Sequence, residues 1–117
     1  MSGAFGKENY LKELGITTKV GLRPNWIASI YPVVSMQDSI AHRKSRKNLI
    51  GKEMTQENFD KFSMEMQIPD DMPPIYLQAS IDDEVVDYRN SVALHQALED
   101  KNINHKYVLF ETGGHGY

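Results

Sequence analysis

His115 sits in Gly113-Gly114-His115-Gly116, directly after the apolar run Tyr107-Val108-Leu109-Phe110. An imidazole is the side chain best suited to moving a proton near neutral pH, as general base or general acid. Glycines around it open backbone angles closed to other residues, so the ring can be projected from the end of a strand into open space. The second stretch with chemistry in it is Ser80-Ile81-Asp82-Asp83-Glu84-Val85-Val86-Asp87, where carboxylates cluster. A carboxylate that accepts from one ring nitrogen fixes the histidine tautomer and stabilises the imidazolium, leaving the other nitrogen to act on a nucleophile. Taken separately, each stretch also has an ordinary reading: a solvated glycine-rich loop, and an acidic turn favourable at the start of a helix.

The elements between the two stretches decide whether they meet. Ile75 to Ala79 reads as a buried strand and Lys106 to Phe110 as another. Between them, Tyr88 to Lys101 has the spacing of a helix, with Val92, Leu94, Ala97 and Leu98 as its packing side and Asp87 or Asn90 at its start. Strand, helix and strand make a βαβ unit, and such crossovers are right-handed and join parallel strands. Both chemical loops then leave from carboxyl ends of strands. Neighbouring strands lie about 5 Å apart, and the carboxyl edge is where open α/β sheets place their sites. Asp82 or Asp83 therefore falls within reach of His115.

Upstream, Trp26 to Val34 is apolar on both parities, which predicts a strand buried on both faces and ending near Pro32. A short helix is expected over about Lys7 to Leu14. Residues 35–74 read as a helical excursion between strands. It holds a helix from Ile40 to Ile50, capped by Asp38 or Ser39 and stopped at Gly51, and a second from Gln56 to Ser63, capped by Thr55, with Phe59 and Phe62 on one side. Met36, Met54, Met64, Met66 and Met72 fall in or beside it and suit adaptable packing. The expected fold class is α/β, three parallel strands with flanking helices, in a single domain over residues 1–117.

Composition narrows the function classes. The 117 residues suffice for one domain with a real core, and the charged fraction of 25% is ordinary for a globular chain. A net charge of −3 with both signs interspersed argues against a nucleic-acid or anionic-membrane surface. The basic run His42-Arg43-Lys44-Ser45-Arg46-Lys47 reads as a solvated helix face. Cysteine is absent, so there is no disulfide framework, thiolate metal site or thiol nucleophile. Met1 to Leu11 lacks the apolar core of a signal peptide, no run is long enough to span a bilayer, and the compartment stays open.

Ile30-Tyr31-Pro32-Val33-Val34-Ser35-Met36, Asn48-Leu49-Ile50-Gly51, Met72-Pro73-Pro74-Ile75-Tyr76-Leu77, Asp82-Asp83-Glu84-Val85-Val86 and Gly113-Gly114-His115-Gly116 occur in an order that resembles α/β-hydrolase esterases. The nearest resemblance is to the bacterial carbohydrate acetylesterase and feruloyl-esterase-like group, with dienelactone hydrolases and prolyl-oligopeptidase-type peptidases further off. The resemblance runs from about Tyr10 onward. It implies that His115 is a triad histidine and that Asp82 or Asp83 is the triad acid. Asp82 is favoured, because Ala79 followed three residues later by the acid matches the family's step from strand to acid. Asp87 stands where many members have proline.

These enzymes carry their serine on a G-x-S-x-G elbow, and the chain has none: neither Ser2 nor Ser29, Ser35, Ser39, Ser45, Ser63, Ser80 or Ser91 has that setting. The chain thus reads as the carboxyl-terminal half of a hydrolase sheet, supplying the Asp-His part of a Ser-His-Asp triad and inactive alone. The resemblance implies hydrolysis of acetyl or feruloyl esters of carbohydrates, without cofactor or metal. Two other readings stand beside it. One is a non-catalytic module, or complementation half, that pairs or self-associates through an exposed strand edge. The other is part of a prolyl-oligopeptidase-type peptidase.

Overall fold

Three runs rich in β-branched and aromatic residues become β1 (Ile27–Ile30), β2 (Ile75–Ser80) and β3 (His105–Phe110). They form one parallel sheet in the order β1-β2-β3, in a computed structural model that describes residues 10–116. The register aligns Ile27, Ile75 and His105 across the sheet, and Ser29, Leu77 and Tyr107 two steps on. The expected α/β class, with three parallel strands and flanking helices, is what the chain adopts.

Helix α1 (Tyr10–Glu13) falls within the expected span, whose first residues, Lys7 to Asn9, lie outside the described ones. Helices α2 (Arg43–Ile50) and α3 (Gln56–Phe62), followed by a 3₁₀ turn at Met64–Met66, occupy the excursion between β1 and β2. Gly51 closes α2 at φ 72°, a left-handed angle that glycine adopts freely. Thr55 caps α3, its hydroxyl oxygen accepting from the Asn58 N–H at 3.2 Å. The start of α2 is later than expected. Residues 37–41 form a turn in which Ile40 and Ala41 both donate to the Gln37 carbonyl, and Asp38 is held by Arg46 at 2.6 Å instead of capping.

Helix α4 (Arg89–Asp100) joins β2 to β3 and packs on one face of the sheet. The core it makes with β2 comprises Ile75, Leu77, Leu94, Leu98 and Ile103, together with Val34 just before the excursion and Ile68 within it. Leu77 and Leu98 are wholly buried, each side chain contributing about 1.5–3 kcal/mol relative to exposure. Val92 does not join this stripe and is 39% exposed, because it lies about 200° round the helix from Leu94. Buried Asn90 and Ser91 take the inward positions of the first turn instead.

The expectation that β1 is buried on both faces fails. Ile30 is 52% and Trp26 67% exposed, since β1 is an edge strand and its second face is uncovered among the described residues. Val34, the end of that apolar run, and Ser35 and Met36, which open the excursion, are buried outside the sheet. The Val34 and Ser35 N–H groups donate to Asn90 Oδ1 at 3.0 and 2.9 Å, while Asn90 Nδ2 donates to the Ile40 and Asp87 carbonyls. Among the described residues no helix is long and apolar enough to cross a membrane.

Candidate active site

β2 and β3 end side by side, with Ser80 aligned on Phe110, and the Ile81 N–H still donates to the Phe110 carbonyl at 2.9 Å. The acidic loop and the glycine-histidine loop therefore leave from adjacent points on the carboxyl edge. In the acidic loop the chain turns at once, and Asp83 Oδ1 accepts from the N–H groups of Val85 at 2.8 Å and Val86 at 2.9 Å. This is the local turn for which aspartate is favoured, and it fixes the carboxylate before any partner arrives. Asp83 Oδ2 is left to meet His115 Nδ1 at 2.8 Å. The Asp83 side chain is 1% exposed and that of His115 37%, so a dry carboxylate orients an accessible ring.

Of the two aspartates, Asp83 and not the favoured Asp82 bonds to His115. Asp82 is occupied one step earlier, accepting from the Gly113 N–H at 3.2 Å and the Gly114 N–H at 2.9 Å. The two neighbours thus divide the work, one carboxylate holding the loop and the other holding the ring. Gly114 at φ 58° and Gly116 at φ 113° let the loop double back. A Cβ at either would meet nothing within 4 Å, so the backbone angle and not crowding calls for glycine there.

Burial by itself would raise the Asp83 pKa. The hydrogen bonds from Val86 N–H, the His115 ring and Val85 N–H, with the nearby His115 charge, outweigh it and hold the carboxyl below its ordinary value. Asp83 is therefore an acceptor at neutral pH. A carbonyl or carboxylate can only accept, so the shared proton sits on His115 Nδ1 and Nε2 is the nitrogen free for chemistry.

Tyr31 was not singled out from sequence as a site residue, yet its ring centroid lies 5.5 Å from that of His115 at 49°. It sits just past β1 at φ 48°, rare for a bulky residue and a common mark of functional edges. Its own N–H still donates to the Gln78 carbonyl at 2.9 Å. The only signal in the sequence was Pro32, which shows that the strand must break here but not which way Tyr31 turns. Beside the acidic loop runs an open groove of about 980 Å³, lined by Ala41 to Lys44 and by Ile81, Val85 and Tyr88. Asp83 lines it and His115 does not. Among the described residues no serine hydroxyl bonds to His115.

No family model matches the sequence. The fold is similar to an acetyl ester-xyloside bifunctional hydrolase from Caldicellulosiruptor lactoaceticus, with a TM-score of 0.78 and 30% identity over 84% of this chain and 36% of that one. The fold is part of an α/β-hydrolase. A carboxylesterase from Lactobacillus plantarum gives a TM-score of 0.72 at 19% identity, over 98% of this chain and 40% of its own, and at that identity speaks for the α/β-hydrolase fold alone. In sequence, the chain is 33% identical over 94 residues to an endo-1,4-beta-xylanase B from Butyrivibrio fibrisolvens, covering 80% of this chain and 15% of the xylanase. The chain thus spans well under half the length of each of these relatives. A sugar hydrolase from Lactococcus lactis and a truncated carbohydrate esterase from gut microbiota, at 23% and 22% identity, share the fold.

Proposed function

We propose that this chain is the acid-and-histidine part of a serine esterase acting on acyl esters of carbohydrates, acetyl or feruloyl. The observation that carries the reading is the bond from His115 Nδ1 to a buried Asp83 whose other oxygen is pinned by two backbone N–H groups. In the assembled enzyme, His115 Nε2 takes the proton of a serine hydroxyl as the oxygen attacks the ester carbonyl. It then gives that proton to the leaving sugar oxygen as the acyl-enzyme forms. Water repeats the sequence and releases the acid. Asp83 stays ionised and stabilises the imidazolium, and Asp82 keeps the histidine loop in place.

The carbohydrate part of the reading rests on the relatives. One similar structure is a hydrolase of acetyl esters and xylosides, and the sequence relative is a xylanase. Glycosidic cleavage is not favoured for this segment, because it uses two carboxylates flanking the bond, and both loop aspartates are already committed to His115 and to the glycine amides.

The nucleophile must come from outside these 117 residues, since they contain no G-x-S-x-G. The test uses p-nitrophenyl acetate with the chain alone and with the chain fused behind the elbow-bearing segment of the Caldicellulosiruptor lactoaceticus hydrolase. The expected result is background turnover for the chain and esterase activity for the fusion, abolished by His115→Ala. Robust turnover by the chain alone, lost in His115→Ala, would overturn the need for an external serine. A folded, inactive fusion would overturn the esterase reading.

A second reading is favoured by one observation, the open edge of β1 with Ile30 and Trp26 exposed beside it. Strand addition at that edge would make the chain a module that pairs with a second copy or with a complementing half.

A further inference from the structure

A second cluster of polar side chains lies at the other end of β3, remote in the topology from the loop that carries His115. Ser91, His95 and Glu99 are spaced by four and so share one stripe of α4. Each successive pair rises about 6 Å along the helix, close to the roughly 6.6 Å between alternate residues of a strand. The stripe consequently reads onto alternate residues of β3: Ser91 Oγ lies 2.9 Å from the Tyr107 hydroxyl, and the His95 ring stacks 4.7 Å from that of Tyr107. His95 Nδ1 lies 2.9 Å from His105 Nε2, and Glu99 Oε1 lies 3.3 Å from the same nitrogen.

We infer that His95 Nδ1, Glu99 Oε1 and His105 Nε2 form a zinc site that staples α4 to the start of β3. The three ligand atoms lie within 4.8 Å of one another. Zinc bonds of about 2.0–2.1 Å at tetrahedral angles place ligand atoms roughly 3.3 Å apart, near the two separations found here. The arrangement around His105 is that of a prepared ligand. Its Nδ1 is 2.7 Å from the Ile103 carbonyl, which can only accept, so a proton belongs on Nδ1 and Nε2 is the nitrogen turned toward the cluster. A backbone carbonyl holding the second nitrogen is the usual support of a metal-bound histidine.

The Glu99 carboxylate and His95 Nδ1 both face His105 Nε2, so a divalent cation set among the three atoms would take the place of the proton that otherwise bridges them. The His105 side chain is 6% exposed whereas that of Glu99 is 58% exposed, so the site has a fixed inner ligand and a mobile outer one by which an ion can enter. Two imidazoles and one carboxylate suit Zn²⁺ better than Mg²⁺ or Ca²⁺, which take all-oxygen sets. Three protein ligands leave a fourth position for water. The role is structural: the ion would close the turn of residues 101–104, while the carboxyl edge remains free for ester chemistry.

The test is titration of the tag-free, full chain with Zn²⁺, and with Co²⁺ as a spectroscopic probe. The expected result is one ion per chain, a visible Co²⁺ absorption typical of four or five ligands, and a higher unfolding temperature in Zn²⁺ than in EDTA. Glu99→Gln and His95→Gln should each weaken binding at least about 100-fold, beyond the 10–100-fold typical of losing an outer-shell partner, and remove the thermal shift. His115→Ala should leave both intact. Glu99 is exposed, so its variant gives a reading even where His95→Gln fails to fold. Absence of stoichiometric binding, binding that survives Glu99→Gln, or binding lost only in His115→Ala would overturn the inference.

Discussion

At the scale of single residues, Asp82 and Asp83 are adjacent, identical in type and different in task, and the difference comes from which backbone amides each one meets. Both were legible as candidates for the partner of His115. The family's step favours Asp82, and the sequence does not show otherwise, because the outcome depends on how Asp83 folds back onto Val85 and Val86. The ¹⁵N spectrum of the His115 ring, readable in the chain alone, should report an Nδ1–H tautomer that Asp83→Asn loses and Asp82→Asn keeps; the reverse would return the orienting role to Asp82. In an assembled esterase, Asp83→Asn should lower kcat by roughly 10⁴-fold, the scale seen when a triad acid loses its charge. Asp83 also ties stability to pH. Its carboxyl is held below the ordinary value on folding, so its contribution is present above the unfolded pKa of about 4 and is lost as pH falls through the lower folded value. The unfolding midpoint of the native chain should drop from pH 5 to pH 2.5, and its lead over Asp83→Asn should shrink across the same window.

At the scale of elements, the βαβ unit was readable because its apolar spacings are regular and its length is ordinary. The crossover then left only one parallel arrangement to choose. What escaped was decided by neighbours that sequence spacing does not show. Val92 looked like core because it is apolar, but the inward position belongs to Asn90. Asn90 is wholly buried and makes four hydrogen bonds, three of which hold residues 34–40 to the first turn of α4 while the fourth reaches the Asp87 carbonyl. A buried asparagine reads in sequence as a turn or cap signal, and nothing in the spacing tells that its partners lie some fifty positions upstream. Asn90→Ala would strand the Val34 and Ser35 N–H groups, each at about 1–3 kcal/mol. We expect a net loss of about 3 kcal/mol in urea unfolding, against less than about 1 kcal/mol for Val92→Ala on the exposed side.

At the scale of the whole molecule, a parallel sheet is ordinarily covered on both faces, and here α4 covers one while Ile30 and Phe110 on the other remain partly open among the described residues. Among the described residues the edge of β1 is open as well. Ile27 donates its N–H to the Pro74 carbonyl just before β2 and Tyr31 donates to the Gln78 carbonyl within it, so by alternation Ala28 and Ile30 point theirs outward. Self-association through that edge should appear in light scattering as a concentration-dependent rise in mass. Ala28→Pro, which removes an outward donor and leaves the inward ladder alone, should reduce it without loss of helical signal. The parallel order has a consequence in time as well as in space. Each pairing in the sheet must wait for a crossover to close, the shorter over residues 81–104 and the longer over residues 31–74, and distant pairings form slowly. β2, α4 and β3 can therefore assemble as a unit that β1 joins last and leaves first. Tyr31, at the end of that late strand, is the ring that leans on His115, so transient detachment of β1 would disturb the histidine long before the molecule as a whole unfolds.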